Sequence, residues 1–230
     1  SPTASGKSLI IYMALRAYLA DNNGNVLIIV PTTSLVEQMY SDFADYSQFD
    51  EGFEADQDCH KIYSGKEKYQ IKSRVVITTW QSIYKEKATW FQGYGMVIGD
   101  EAHNFKAKSL TSILEKCTEA KYKIGTTGTL DGTQTHQLVL EGLFGAVHKV
   151  TTTKKLIDSK ALASLDISIL LLKYSDEHCK AVVKKDYQAE VDFIVRYEPR
   201  NNFITNLALD LEGNTLLLFQ FVDKHGKPLY

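Results

Sequence analysis

The stretch Val26-Leu27-Ile28-Ile29-Val30 is apolar at every position. A strand with one wet face alternates apolar and polar residues. A run without alternation needs cover on both faces, as the inner strands of a parallel sheet have. Val75-Val76-Ile77-Thr78-Thr79 and Met96-Val97-Ile98-Gly99 repeat the pattern, and Tyr122-Lys123-Ile124-Gly125 leads into another polar turn. Helical spacing lies between and around these runs. Leu9 to Leu19 is one such segment, closed by Asp21-Asn22-Asn23-Gly24-Asn25. After Pro31-Thr32-Thr33-Ser34, a helix with Leu35, Val36, Met39 and Phe43 on one face is expected, with Ser34 as its N-cap. Ser109–Cys117 and Gln134–Phe144 follow the same rule. Strand, polar turn and helix in rotation predict a three-layer α/β domain around a mainly parallel sheet.

Two polar stretches stand out against this pattern. Pro2-Thr3-Ala4-Ser5-Gly6-Lys7-Ser8 runs directly into the first helix. Backbone N–H groups at a helix N-terminus favour negative charge, so this is how a phosphate-cradling loop ends. In that pattern Lys7 reaches the β/γ-phosphates of a nucleotide and Ser8 ligates Mg²⁺. Ser1 stands where the pattern has its first glycine, so an ordinary helix start remains an alternative. Asp100-Glu101-Ala102-His103 closes the third apolar run, at the sheet edge where α/β proteins bind ligands. Splitting a nucleotide anhydride is mainly positioning and charge neutralisation. Asp100 would hold the Mg²⁺, and Glu101 would take the proton of the attacking water. Alone, two such carboxylates could be a solvated pair. Combined with Gly6-Lys7-Ser8 they point to a nucleotide and Mg²⁺.

Composition narrows the class. At 44% hydrophobic over 230 residues the chain can bury a core, and disorder is excluded. A formal net charge of −2 gives no global basic field, so nucleic acid would be met by local patches. Cys59, Cys117 and Cys179 lie far apart, which argues against a disulfide framework or zinc cluster and for a reduced compartment, the cytoplasm. No apolar run approaches the ~18–20 residues of a bilayer span. Residues 42–58 hold seven acidic residues and no Lys or Arg, and read as a solvated segment. Between Lys61 and Arg74 the sign reverses, with Tyr63 and Tyr69 interleaved among Lys66, Lys68 and Lys72; this reads equally as a nucleic-acid contact or as solvated charge. Trp80 reads as a packing residue rather than a base platform. Beyond about Thr151 the character changes. A short helix is expected over Lys154–Ala163, a strand over Leu165–Tyr174, charged helix over Glu177–Leu211 broken at Pro199, and a buried strand over Thr215–Phe221.

Together these segments resemble the first RecA-like domain of superfamily-two helicases. Pro2–Ser8 is similar to motif I, Ile29–Thr33 to motif Ia, and Ile77–Ser82 to motif Ic. Asp100–His103 spells motif II, and Thr127-Gly128-Thr129 resembles motif III. The likeness is greatest to the UvsW-type helicases of tailed phages, and reaches Val150–Lys154 and Phe219–Lys227. The resemblance implies a RecA-like P-loop NTPase domain over residues 1–150, a connector over 151–213 and the opening of a second such domain over 214–230, all within a longer protein. It implies an ATP hydrolase driving a DNA helicase or translocase on single-stranded or branched DNA, or on RNA–DNA hybrids, in phage recombination and repair, located in the host cytoplasm. It names no protein partner. Thr3, Ala4, Ser5, Gly6, Lys7 and Ser8 would bind nucleotide. Ser8 and Asp100 would hold Mg²⁺, and Lys7, Asp100 and Glu101 would carry catalysis. His103, Thr127 and Thr129 would couple nucleotide state to the nucleic-acid groove, and Thr32, Thr33 and Thr79 would grip backbone phosphates. The γ-phosphate arginines of the second domain are absent, so the chain alone is expected to hydrolyse poorly. Two alternatives stay open: the motor subunit of a restriction-type complex, and a nucleotide- or nucleic-acid-binding module without turnover.

Overall fold

A computed structural model describes residues 6–106, 108–128, 134–164 and 166–229. The chain divides into two compact units, Ser1–Ser164 and Leu165–Tyr230.

The first unit is built on five parallel strands: β1 (Asn25–Val30), β2 (Cys59–Ile62), β3 (Val75–Thr79), β4 (Tyr94–Asp100) and β5 (Tyr122–Thr126). They lie in the order β2-β3-β1-β4-β5. The unbroken apolar runs have a direct reason. Successive side chains point to opposite faces, and both faces are covered. Val26, Ile28, Val30, Val75, Ile77, Met96 and Ile98 pack against α1 (Lys7–Asp21) and α2 (Thr33–Ser47). Leu27, Ile29, Val76 and Val97 pack on the other side, with Phe91, Phe105, and residues of helices α4 (Trp80–Ile83), α5 (Lys108–Lys116) and α6 (Gln134–Phe144). A single turn, α3 (Ala55–Asp58), leads into β2, and α7 (Thr153–Asp158) lies beyond the sheet. The expected three-layer α/β architecture is therefore present.

Three local expectations are corrected. The N-cap of α2 is Thr32 rather than Ser34: the helix starts two residues earlier, and Thr32 Oγ1 accepts from the Leu35 N–H at 3.3 Å. The acidic stretch 42–58 is not simply solvated, because Phe43, Phe53 and Ala55 are buried and its Asp50 accepts hydrogen bonds from Arg16 and Tyr12 of α1. The strand β2 was not expected at all. It is an edge strand of four residues whose His60 and Lys61 are only partly buried, so it carries no apolar run.

The second unit contains α8 (Asp176–Val182), α9 (Tyr187–Arg196), α10 (Glu198–Asp210), a π turn over Val222–Gly226 and the short α11 (Lys227–Leu229). The expected break is present at Tyr197, and Pro199 sits in the first turn of α10, where its missing N–H costs nothing. A second break before Tyr187 was not expected; there Asp186 caps α9, accepting from the Ala189 N–H. Neither expected strand forms among the described residues of Leu165–Tyr174 and Thr215–Phe221. The described part of this unit holds no strand to pair with, and an unpaired strand leaves its backbone groups to water. Leu216 and Leu218 are accordingly 82% and 80% exposed.

Candidate active site

The carboxyl ends of β1, β3, β4 and β5 form one edge of the sheet, and they deliver Thr32, Thr79, Asp100 and Thr126 to it. Lys7 opens α1 beside this edge. Gly6 before it adopts φ 77°, ψ 33°, a left-handed conformation that glycine enters without penalty. Among the described residues no side chain caps α1, so its first-turn N–H groups keep their capacity to bind an anion.

Lys7 Nζ donates to Glu101 Oε1 at 2.7 Å, joining residues 94 positions apart in the chain. His103 Nδ1 lies 3.3 Å from Glu101 Oε2 and 2.9 Å from Thr127 Oγ1. Glu101 itself has φ 49°, unusual for a residue with a side chain. Strain of this kind concentrates at functional sites. The turn sends the neighbouring carboxylates to different partners. Asp100 is 7% exposed and accepts from Thr126 Oγ1 at 2.8 Å. Gly99 and Gly125 precede these two residues, and a Cβ on either would run into Phe144 at about 3 Å, so the small residues let α6 close over the strand ends.

The structure thus brings Lys7, Glu101, His103 and Thr127 into one chain of contacts. It does not join Ser8 to Asp100 by a hydrogen bond: Ser8 Oγ pairs with the Tyr46 hydroxyl at 3.0 Å. Thr3, Ala4, Ser5 and Thr129 lie outside the described residues. Sequence reasoning missed Tyr46 and Thr126. Helix packing and strand register make those contacts, and no motif spells them.

Along the same edge an open cleft of about 630 Å³ is lined by Thr32, Thr33, Thr79, Tyr63, Lys66 and Gln81, among others. Thr32 and Thr33 are exposed. Thr79 is 4% exposed and its hydroxyl pairs with that of Ser82 at 2.9 Å, so it is the least available of the three. The basic stretch resolves into separate jobs. Lys61 pairs with Glu37 at 2.7 Å and lies over the Tyr40 ring. Lys68 pairs with Glu86 at 2.9 Å, while Arg74 donates to the carbonyls of Asn22 and Gly24. Lys66 lines the cleft, lies over the Tyr63 ring at 5.4 Å and makes no salt bridge among the described residues. Trp80 packs edge-on against Tyr84 in the core layer, as expected of a packing residue.

The chain belongs to the family described as "Type III restriction enzyme, res subunit", whose model matches residues 1–132. It is 35% identical, over its whole length, to the "ATP-dependent DNA helicase uvsW" of Enterobacteria phage T4, of which it spans 46%. It is 32% identical to the "Probable helicase D10" of Escherichia phage T5, over 52% of this chain and 24% of that protein. A crystal structure of T4 UvsW superposes on all of this chain and 44% of that one, with TM-score 0.57 and 34% identity. The Hef helicase domain of Pyrococcus furiosus shares the fold over 64% of this chain and 33% of its own, with TM-score 0.54 and 22% identity. The resemblance read from the motifs is borne out. The chain spans less than half the length of these relatives. Among the described residues, no helix is long and apolar enough to cross a membrane.

Proposed function

We propose that this chain is the ATP-hydrolysing motor domain of a DNA helicase or translocase that acts on branched recombination and repair intermediates. Residues 1–150 would be its first RecA-like domain, 151–213 the connector and 214–230 the opening of the second. The observation that carries this reading is the shared sheet edge. The Lys7–Glu101–His103–Thr127 contacts and the Thr32–Thr33–Lys66 cleft both lie at the carboxyl ends of the same parallel strands.

The donor set fits a nucleotide. The Glu101 carboxylate neutralises Lys7 and so stands in for a phosphate oxygen. When ATP enters, Lys7 transfers to the β/γ-phosphates and α1 offers its open N–H groups to them. Glu101, released from Lys7, is then the base that accepts the proton of the attacking water. Asp100 and Ser8 are the residues that would hold Mg²⁺, which neutralises phosphate charge when bound. His103 bridges Glu101 to Thr127, so a change at the base is felt at the turn after β5. Thr32 and Thr33 donate to backbone phosphates and Lys66 adds one positive charge, contacts that grip without reading sequence. Thr79 and Thr129 would complete the grip and the coupling.

The family description names a restriction subunit. The recombination motor is favoured because the similarity to the T4 helicase continues through the whole chain rather than ending at residue 132. The test is ATP hydrolysis by a protein carrying both motor domains, with and without branched DNA. Stimulation by DNA is expected. Lys66→Ala is expected to raise the DNA concentration needed, and to reduce the salt slope of binding by about one. ATP binding without turnover on any DNA would overturn the reading and leave a binding module.

A further inference from the structure

Asp100 ends β4 and Thr126 ends β5, and the parallel register sets them side by side. The Thr126 hydroxyl donates to Asp100 Oδ1 at 2.8 Å, and this is the one side-chain hydrogen bond of Asp100 among the described residues. At 7% exposure the carboxylate has little water to orient it. The strand ends are also closely covered: a Cβ at Gly125 would stand 2.9 Å from the Phe144 ring and 3.0 Å from Ala102 Cβ, so both groups pack onto the backbone before Thr126. Thr127, the next residue, takes a different partner, His103 at 2.9 Å. Two adjacent hydroxyls therefore hold two different parts of Asp100-Glu101-Ala102-His103, and neither replaces the other.

We propose that Thr126 is a positioning residue of the metal site: it ties Oδ1 of Asp100, so that Oδ2 would be the oxygen available to the cation that accompanies the nucleotide. This rests on the reading of the edge as an ATP site. A hydroxyl in this place acts through the carboxylate and touches neither nucleotide nor metal. Hydrogen-bond partners of a ligating carboxylate commonly govern metal affinity by ten- to a hundredfold.

The test uses the protein with both motor domains and a fluorescent, non-hydrolysable ATP analogue, titrated with Mg²⁺. Metal-free ADP binding is measured alongside. Thr126→Val keeps the β-branched shape and removes the donor. It is expected to raise the Mg²⁺ half-saturation on the order of tenfold, while metal-free ADP binding stays at the wild-type value. Thr126→Ser, which restores a hydroxyl, is expected to recover the wild-type Mg²⁺ dependence. The proposal is overturned if Thr126→Val keeps the wild-type Mg²⁺ dependence. It is equally overturned if metal-free binding falls in parallel, or if Thr126→Ser behaves like Thr126→Val, because shape rather than the hydroxyl would then be at work. Wild-type protein that binds no nucleotide defeats the underlying ATP-site reading and this inference with it, an outcome distinct from the other three.

Discussion

Replacing Gly99 with alanine adds one methyl group to the strand that ends in Asp100. The new Cβ would stand 2.7 and 2.8 Å from two ring carbons of Phe105 and 3.1 Å from one of Phe144. Comfortable carbon–carbon contact begins near ~3.5 Å, so something must move. Phe105 is 1% exposed and its ring meets that of Phe144 edge-on, with centroids 5.2 Å apart, so it yields only by displacing its neighbours. β4 is hydrogen-bonded to β1 on one side and β5 on the other, so the backbone cannot retreat either. Overpacking of this kind costs about 1–3 kcal/mol. Stiffening the unfolded chain returns about 0.4–1 kcal/mol, which leaves a net loss of roughly 1–2 kcal/mol. Gly142 provides the control. It lies exposed in α6, a Cβ there meets nothing within 4 Å, and alanine should stabilise by about 0.5–1 kcal/mol. Both tryptophans, Trp80 and Trp90, pack against this layer, so urea unfolding can be followed by their fluorescence. With an m-value of roughly 2 kcal/mol/M, Gly99→Ala should lower the midpoint by about 0.5–1 M and Gly142→Ala should raise it. A Gly99→Ala midpoint at or above wild type would refute the packing account.

Two further outcomes follow from charge and burial. The Arg16 guanidinium holds the Asp50 carboxyl below the usual carboxylate range, with the Tyr12 hydroxyl adding to the effect. The pairing therefore stabilises above the ordinary value near ~4 and is lost as pH falls through the lowered one. Asp50→Asn should cost about 1–2 kcal/mol at neutral pH, a figure discounted for partial exposure. Urea midpoints of variant and wild type should converge as the pH is taken down from about 4 to 2; a gap that stays constant would contradict the assignment. Burial pushes the Cys59 thiol up to about 12 and the Cys117 thiol up to about 11, whereas Cys179 is exposed. A thiol-exchange reagent at pH 8 should therefore label Cys179 at once, and the other two with unfolding; rapid labelling of a second thiol in the folded protein would count against the core as described.

The strands β1, β3 and β4 were legible because burial on both faces leaves them mostly apolar, with Thr78 and Thr79 of β3 themselves buried. The edge strand β2 was not, since His60 and Lys61 interrupt it as they would a loop. Lys7 and Glu101 could each be named from local motifs, and their contact across the fold confirms that the motifs share one edge. The partners that position them were hidden: Tyr46 meets Ser8 through the packing of α2 on α1, and Thr126 meets Asp100 through register. In the second unit the apolar run Thr215–Phe221 satisfied the local rule for a strand, but local pattern does not supply a neighbour. The basic stretch was ambiguous in sequence because charge alone does not show its partners. Glu37 and Glu86 engage Lys61 and Lys68, and backbone carbonyls engage Arg74, which leaves Lys66 facing the cleft.

The most direct measurement is ATP binding and ATP hydrolysis by Glu101→Gln and wild type, side by side, in a protein with both motor domains and branched DNA present. The variant should bind ATP at least as well as wild type, because a neutral side chain no longer competes for Lys7. Its DNA-stimulated hydrolysis should fall by about 10²–10⁴ with the loss of the base. Hydrolysis at the wild-type rate would remove Glu101 from catalysis and contradict the account.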